Sequence, residues 1–199
     1  MPQTPDKPSA AAAIPGVTIA RLSSQHIDLV EPLWRSLLDH IRELGSVVPV
    51  VPHSESWPRY KAQCEELLGD GESFGLGAFR GGELIGYATV RIAPPDPVWA
   101  MGPHYVELAA LSVAPGERDH GIGTALFDAV EQTLAALGIQ ELVIGVDSVN
   151  DRARRFYERR GFTIGYHLMH SRLGASASAS CGAAAAADES PETAAHGDA

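Results

Sequence analysis

The stretch that decides the fold is Arg118-Asp119-His120-Gly121-Ile122-Gly123-Thr124, which lies between an apolar run ending at Val113 and the opening turn of an amphipathic helix. Downstream, Ile122, Ala125, Leu126, Ala129, Val130, Leu134 and Leu137 recur at three- and four-residue spacing, and Gly138 comes next as a stop. This pattern predicts a helix whose apolar face lies on a sheet. The first N–H groups of such a helix have no intrahelical partner, and the macrodipole places partial positive charge there. Gly121 and Gly123 carry no Cβ and let an anionic group approach the main chain, while Arg118 adds a permanent cation. The segment is a candidate phosphate-binding turn. Two familiar glycine motifs fit worse: a dinucleotide fingerprint wants a glycine where Leu126 stands, and a P-loop wants Lys followed by Ser or Thr. A glycine pair before a helix is also ordinary turn geometry.

A second constellation, Val146, Asn150, Ala153, Phe156, Tyr157, Gly161 and Phe162, lies in VDSVNDRARRFYERRGF. Together the two segments resemble the GCN5-related N-acetyltransferase family. The first matches that family's Arg/Gln-x-x-Gly-x-Gly/Ala pyrophosphate loop; the second matches its Asn-x-x-Ala-x-x-Phe/Leu-Tyr-x-x-x-Gly-Phe ending. The resemblance is clearest from Gly86 to Phe162, weaker over the preceding helices and absent from both tails. His120 stands where relatives usually carry Lys or Arg, and Asp119 replaces a frequent Gly. Beside a pyrophosphate, Asp119 is expected to point away or to pair with a cation such as Arg118.

The elements read outward from the glycine loop as an α/β (α+β) fold with a mixed, mostly antiparallel sheet. Val17 to Arg21 reads as a strand, and Gln25 to Leu44 as a helix with Leu29, Leu33, Leu37 and Leu38 on one side. A second helix is expected from Glu55 to Leu68, then a hairpin of Ser73 to Phe79 and Leu84 to Ile92 turning at Gly81 and Gly82. Tyr105 to Val113 reads as a central strand, Gln140 to Val146 as another, Asp151 to Arg160 as a short helix and Phe162 to Leu173 as the last strand. Residues 1–16 and 174–199, rich in Ala with Pro or with Ser, Gly and acids, read as disordered tails around a single domain at 17–173.

The formal net charge of -10 argues against nucleic acid as a partner, because phosphate-backbone affinity rests on surplus Lys and Arg. Part of that charge, Asp188, Glu189, Glu192 and Asp198, belongs to the tail. The arginines Arg152, Arg154, Arg155, Arg159 and Arg160 read first as a solvated helix face. Cys64 and Cys181 imply no disulfide framework, no segment spans a bilayer, and the N-terminus lacks a basic region preceding an apolar run, so the expectation is a cytoplasmic protein. His167 and His170 sit three apart on an expected strand and point to opposite faces, so no metal is expected.

The resemblance implies that acetyl-CoA lies in a V-shaped opening between the splayed strands ending near Val113 and Val146. The backbones of Leu111, Ser112 and Val113 would meet the pantetheine arm, with the Val113 N–H polarising the thioester carbonyl. Arg118, Asp119, His120, Gly121, Ile122, Gly123 and Thr124 would form the pyrophosphate loop, and Asn150, Arg154, Phe156 and Tyr157 would complete the coenzyme site. Arg154 and its neighbours would meet the 3′-phosphate. Asn150 either orients the pantetheine or caps the short helix. Glu107, eleven residues before Arg118, stands at the separation at which similar chains place a general base. Its apolar neighbours Val106 and Leu108 imply partial desolvation; the plainer alternative is a strand Glu facing solvent or paired with an Arg. Tyr157 matches the tyrosine that the family directs at the coenzyme sulfur as general acid, against the plainer reading of a tyrosine packed beside Phe156. Trp34, Trp57, Tyr60 and Trp99 are candidates to line an acceptor pocket, with the loop Ser46 to Ser56 selecting the acceptor. The reading is direct transfer to a primary amine of a small molecule, peptide or protein, and the resemblance allows a homodimer. The rival is a non-catalytic acyl-CoA sensor with the same fold.

Overall fold

The computed structural model describes residues 14–171 and 173. Strand β1 is Val17–Arg21, and a single 3-10 turn at Ser24–His26 leads into helix α1, Ile27–Glu43. Helix α2 spans His53–Gly69, and β2, Phe74–Arg80, turns back as β3, Glu83–Ala93. Strand β4 is Tyr105–Val113, and a 3-10 turn at Pro115–Glu117 brings the chain to α3, Ile122–Ala136. The short strand β5 is Val143–Ile144, and α4 is Asp151–Glu158. The five strands form one open sheet in the order β1-β2-β3-β4-β5, antiparallel except for the β4–β5 pair. The described residues divide into two units, one up to Ile164 and one from Gly165. No helix among the described residues is long and apolar enough to cross a membrane.

The apolar stripe read from the sequence does cover the sheet. Ile122, Leu126, Phe127, Val130 and Leu134 of α3 pack against Phe74, Leu76, Ala88, Val90, Val106 and Leu108. On the other face, Ile27, Val30 and Leu33 of α1 and Tyr60 and Cys64 of α2 pack against Leu84, Tyr87 and Ala110. Gly86 is what lets α3 start so close to β4: a Cβ there would lie 3.1 Å from the Ser112 carbonyl oxygen and 3.2 Å from Leu126.

A bulge in β4 shapes the C-terminal half of that strand. Thr89 pairs with Ala110 and Val90 with Leu108, so Ala109 is one residue too many on its strand. Such a bulge bends the strand and re-aims the side chains beyond it. Before it, Val106 and Leu108 face α3; after it, Ala110 joins the α1/α2 core, while Leu111 and Val113 turn toward α3. The parallel ladder to β5 consists of Glu107 opposite Val143 and Leu108 opposite Ile144, and it ends where the bulge begins. Beyond that point β4 runs on with its edge open.

Three sequence expectations need correction. The strand expected over Gln140 to Val146 shrinks to Val143–Ile144, because the bulge carries β4 out of pairing register. The strand expected over Phe162 to Leu173 is not formed among its described residues, 162–171 and 173. Ile164, Tyr166 and Leu168 satisfy the period of a strand, but period alone does not make a strand without a partner to pair with. Helix α2 starts at His53 rather than Glu55, since the Pro52 carbonyl already accepts from the Glu55 and Ser56 amides at 3.0 and 2.9 Å. The tails expected to be disordered lie, apart from residues 14–16, outside the described residues.

Candidate functional site

The open edge of β4 can be read from its hydrogen bonds. The Ala114 N–H donates to the Ile85 carbonyl at 2.9 Å, and antiparallel pairing alternates residue by residue. Ala114 and Ser112 therefore turn their backbone groups toward β3, whereas Val113 and Leu111 turn theirs toward the gap beside β5. The Val113 carbonyl is indeed free of β3, because it accepts from Arg118 Nε at 3.2 Å. Ser112 faces inward altogether: its hydroxyl donates to the Leu33 carbonyl at 3.2 Å and it is buried. Its backbone, expected to meet the ligand, is turned toward β3.

The edge runs straight into the glycine loop. Gly121 is the N-cap of α3 with φ of 81°, and Asp119 holds φ of 66°, a left-handed conformation that Asp tolerates better than most side chains. At Gly123 a Cβ would meet only Val113 at 3.8 Å, an ordinary contact, so nothing in the protein itself demands glycine there. The Ile122 side chain belongs to the core, leaving its backbone to the loop, while His120 and Thr124 are exposed. The Asp119 carboxylate does pair with a cation, and the cation is Arg152 of α4 rather than Arg118. Arg118 instead reaches α1, where its Nη2 donates to the Ser36 hydroxyl at 3.3 Å. Sequence reasoning missed Ser36, because contacts across 82 residues leave no trace in local spacing.

Helix α4 sits against α3 through an aromatic cluster. The rings of Phe156, Tyr157 and Phe162 approach Phe127 edge-on at 5.9, 5.7 and 5.8 Å. Arg160 lies over Phe127 and Phe156 at 4.6 and 4.8 Å and donates to Asp128 at 2.7 Å. Asn150 caps the helix, its side-chain oxygen accepting from the Ala153 amide at 3.0 Å. Arg154 is bridged to Asp151 and Glu158 of its own helix, both at 2.8 Å, which is the solvated-face arrangement. Phe156 is half-buried against the α3 side of the core.

Glu107 lies on the α1/α2 face of β4, opposite Arg91 of β3. One carboxylate oxygen accepts from Arg91 Nη2 at 2.6 Å and Nε at 3.2 Å. The apolar surroundings expected from Val106 and Leu108 are not what it meets, because in a strand both neighbours point to the opposite face. Glu107 and Tyr157 thus belong to opposite faces of the sheet. Of the candidate pocket aromatics, Trp34 stacks on Tyr60 at 3.6 Å and donates to the Ser56 hydroxyl at 3.0 Å, as part of the α1/α2 packing. Trp99 stands exposed. The loop after α1 does reach toward the gap: the Ser46 hydroxyl donates to Asp147, just beyond β5, at 2.5 Å.

Burial pushes the Tyr157 phenol up to about 12, with Arg160 pulling back, and burial raises Tyr60 and Tyr87 as well. An unfolded tyrosine loses its proton near pH ~10. Above that pH the unfolded chain therefore holds fewer protons than the folded one, and stability falls as pH rises. Unfolding monitored from pH 9 to 12 is expected to show this loss, and Tyr157→Phe to reduce it; a wild-type stability that stays level over that range would contradict the burial.

The chain resembles known proteins over this same region. An uncharacterised N-acetyltransferase of Mycobacterium bovis is 35% identical over 104 residues, covering 52% of this chain and 61% of the relative. A mycothiol acetyltransferase of Beutenbergia cavernae is 40% identical over 65 residues, covering 32% of this chain and 22% of the relative. The chain thus spans about three fifths or less of the length of these curated relatives. Among solved structures, a GCN5-related N-acetyltransferase from Ralstonia eutropha JMP134 superposes with a TM-score of 0.64 at 22% identity, covering 80% of this chain and all of the other. The aminoglycoside N-acetyltransferase AAC(6′)-Iy in complex with CoA gives 0.61 at 20% identity, covering 78% and 93%. Both share the fold of this chain, an open mixed sheet flanked by helices. Residues 34–162, from α1 through the glycine loop to the end of the aromatic cluster, match the Acetyltransferase (GNAT) family, and the chain belongs to that family.

Proposed function

We propose that the protein is an acetyl-CoA-dependent N-acetyltransferase that transfers the acetyl group directly to a primary amine. The observation that carries this is the unpaired edge of β4, where the Leu111 backbone and the Val113 N–H face away from β3 and lead into the glycine loop at the start of α3. A pantetheine arm pairs with such an edge as a strand would, and a diphosphate is suited to the N–H groups that open α3. The absence of any packing reason for Gly123 supports close approach by a ligand at that point. The Val113 N–H is the donor aimed at the thioester oxygen.

Glu107 takes a proton from the acceptor ammonium, directly or through a water. The freed nitrogen attacks the thioester carbon, the C–S bond breaks and Tyr157 gives its proton to the departing sulfur; the attacking nitrogen's second proton passes through water to the Tyr157 phenolate and Glu107 returns its proton to solvent, leaving a neutral amide and the free thiol of CoA. Tyr157 is protonated at neutral pH, as an acid must be, and it needs only to protonate a thiolate, a leaving group that departs readily even with a weak acid. No covalent enzyme intermediate is needed; Cys64 is buried in the α1/α2 core.

Thiol release from acetyl-CoA against a panel of amines tests the reading. Amine-dependent release supports transfer, and saturable binding without release for any amine supports the sensor instead. The aminoglycoside N-acetyltransferase among the similar structures makes aminoglycosides the first acceptors to try. Tyr157→Phe is expected to lower turnover about tenfold with coenzyme affinity nearly intact. The effect is modest for a general acid because a thiol, with a pKa near ~8.5, already leaves well. Unchanged turnover would remove Tyr157 from the chemistry.

A further inference from the structure

Three elements bring basic groups together at the mouth of the glycine loop. From the loop, Arg118 is held by a carbonyl and a hydroxyl, Val113 and Ser36, and among the described residues it has no carboxylate at ion-pair distance. From α4, Arg152 pairs with Asp119, the residue beside Arg118. From α1, His40 lies one turn after Ser36, so the two share a helix face, and both are half-buried. Arg152 is neutralised by its carboxylate, but the Arg118 guanidinium, set against a hydroxyl and a carbonyl with the His40 imidazole on the same side, keeps donors and a positive charge for an incoming anion.

We propose that His40 is a further phosphate-binding group of this site, protonated when the coenzyme's phosphates bind beside Arg118. This rests on the coenzyme reading given under Proposed function. In the free protein, burial first and then the positive charges of Arg118 and Arg152 hold the imidazole below its ordinary range, against the opposing pull of Glu43. A phosphate arriving next to Arg118 reverses that balance, because an opposite charge within a few ångströms favours the charged imidazole. Binding then takes up a proton, and affinity falls as pH rises. Asp119 is already engaged by Arg152, and His120, exposed on the loop, is a second imidazole whose protons must be told apart from those of His40.

Calorimetric titration of the full chain at pH 6, 7 and 8, in buffers of differing ionisation heat, reads both effects. The probes are coenzyme A and 3′-dephospho-coenzyme A, whose diphosphate does not titrate in this range, whereas a terminal phosphate does, near pH ~6. The expected result is proton uptake at pH 7 and an affinity that weakens roughly three- to tenfold from pH 6 to 8, both lost in His40→Gln. Uptake with both probes assigns the diphosphate to His40; uptake with coenzyme A alone assigns the 3′-phosphate. The His40 imidazole resonances of the wild-type chain, titrated with and without coenzyme, give the same answer without relying on a variant. Tight binding with equal proton uptake in wild type and His40→Gln, or an unmoved His40 titration, overturns the inference and leaves the acetyl-CoA reading standing. No binding of coenzyme A to the wild type overturns both.

Discussion

Glu107→Gln is expected to lower amine-dependent turnover about a hundredfold or more, with coenzyme affinity unchanged. A positioned base typically contributes about 10²- to 10⁴-fold. The amide keeps the shape of the side chain and still accepts from Arg91, so the β3–β4 pairing is preserved and the loss isolates the proton-accepting function. Glu107 also lies on the sheet face away from α3 and α4, so the change leaves the glycine loop alone. Steady-state kinetics with a saturating amine check this. Turnover within about twofold of wild type would make Glu107 only the cross-strand partner of Arg91.

Phe127→Ala carries the largest expected stability cost. The ring is fully buried, receives the edges of Phe156, Tyr157 and Phe162, and lies under the Arg160 guanidinium. Truncating a buried Phe costs about 3–5 kcal/mol, a large share of the roughly 5–15 kcal/mol that holds a domain together. Because this ring is the common contact of α3 and α4, the loss also frees Tyr157 from its seat. Urea unfolding should show a lower midpoint at unchanged slope, and Phe127→Leu should cost far less. A shift below about 1 kcal/mol for the alanine variant would mean that the cluster does not hold α4 in place.

Much of the fold could be read from local pattern. Strands Val17–Arg21 and Tyr105–Val113 fall where alternation put them, the Gly81-Gly82 turn joins the hairpin as read, and α3 begins at Ile122 after a glycine in the left-handed region. In the candidate site, the glycine loop and α4 were legible because their residues lie within a turn or two of each other. The pairing of Glu107 with Arg91 and of Asp119 with Arg152, and the reach of Arg118 to Ser36, were not, since each joins residues on separate elements. The strand read over residues 162–173 erred for the complementary reason: period 2 was present, but a partner edge was not.

Taken alone, the order of residues determined the helix at Ile122, the hairpin, the central strand and the family motifs, because periodicity, turn chemistry and capping act between neighbours along the chain. Only the tertiary structure decided that Ala109 bulges, that β4 consequently parts from β5 after Leu108, and that Glu107 and Tyr157 stand on opposite faces. Pairing register and face are fixed by the strands and helices that a segment meets, and those partners lie tens of residues away.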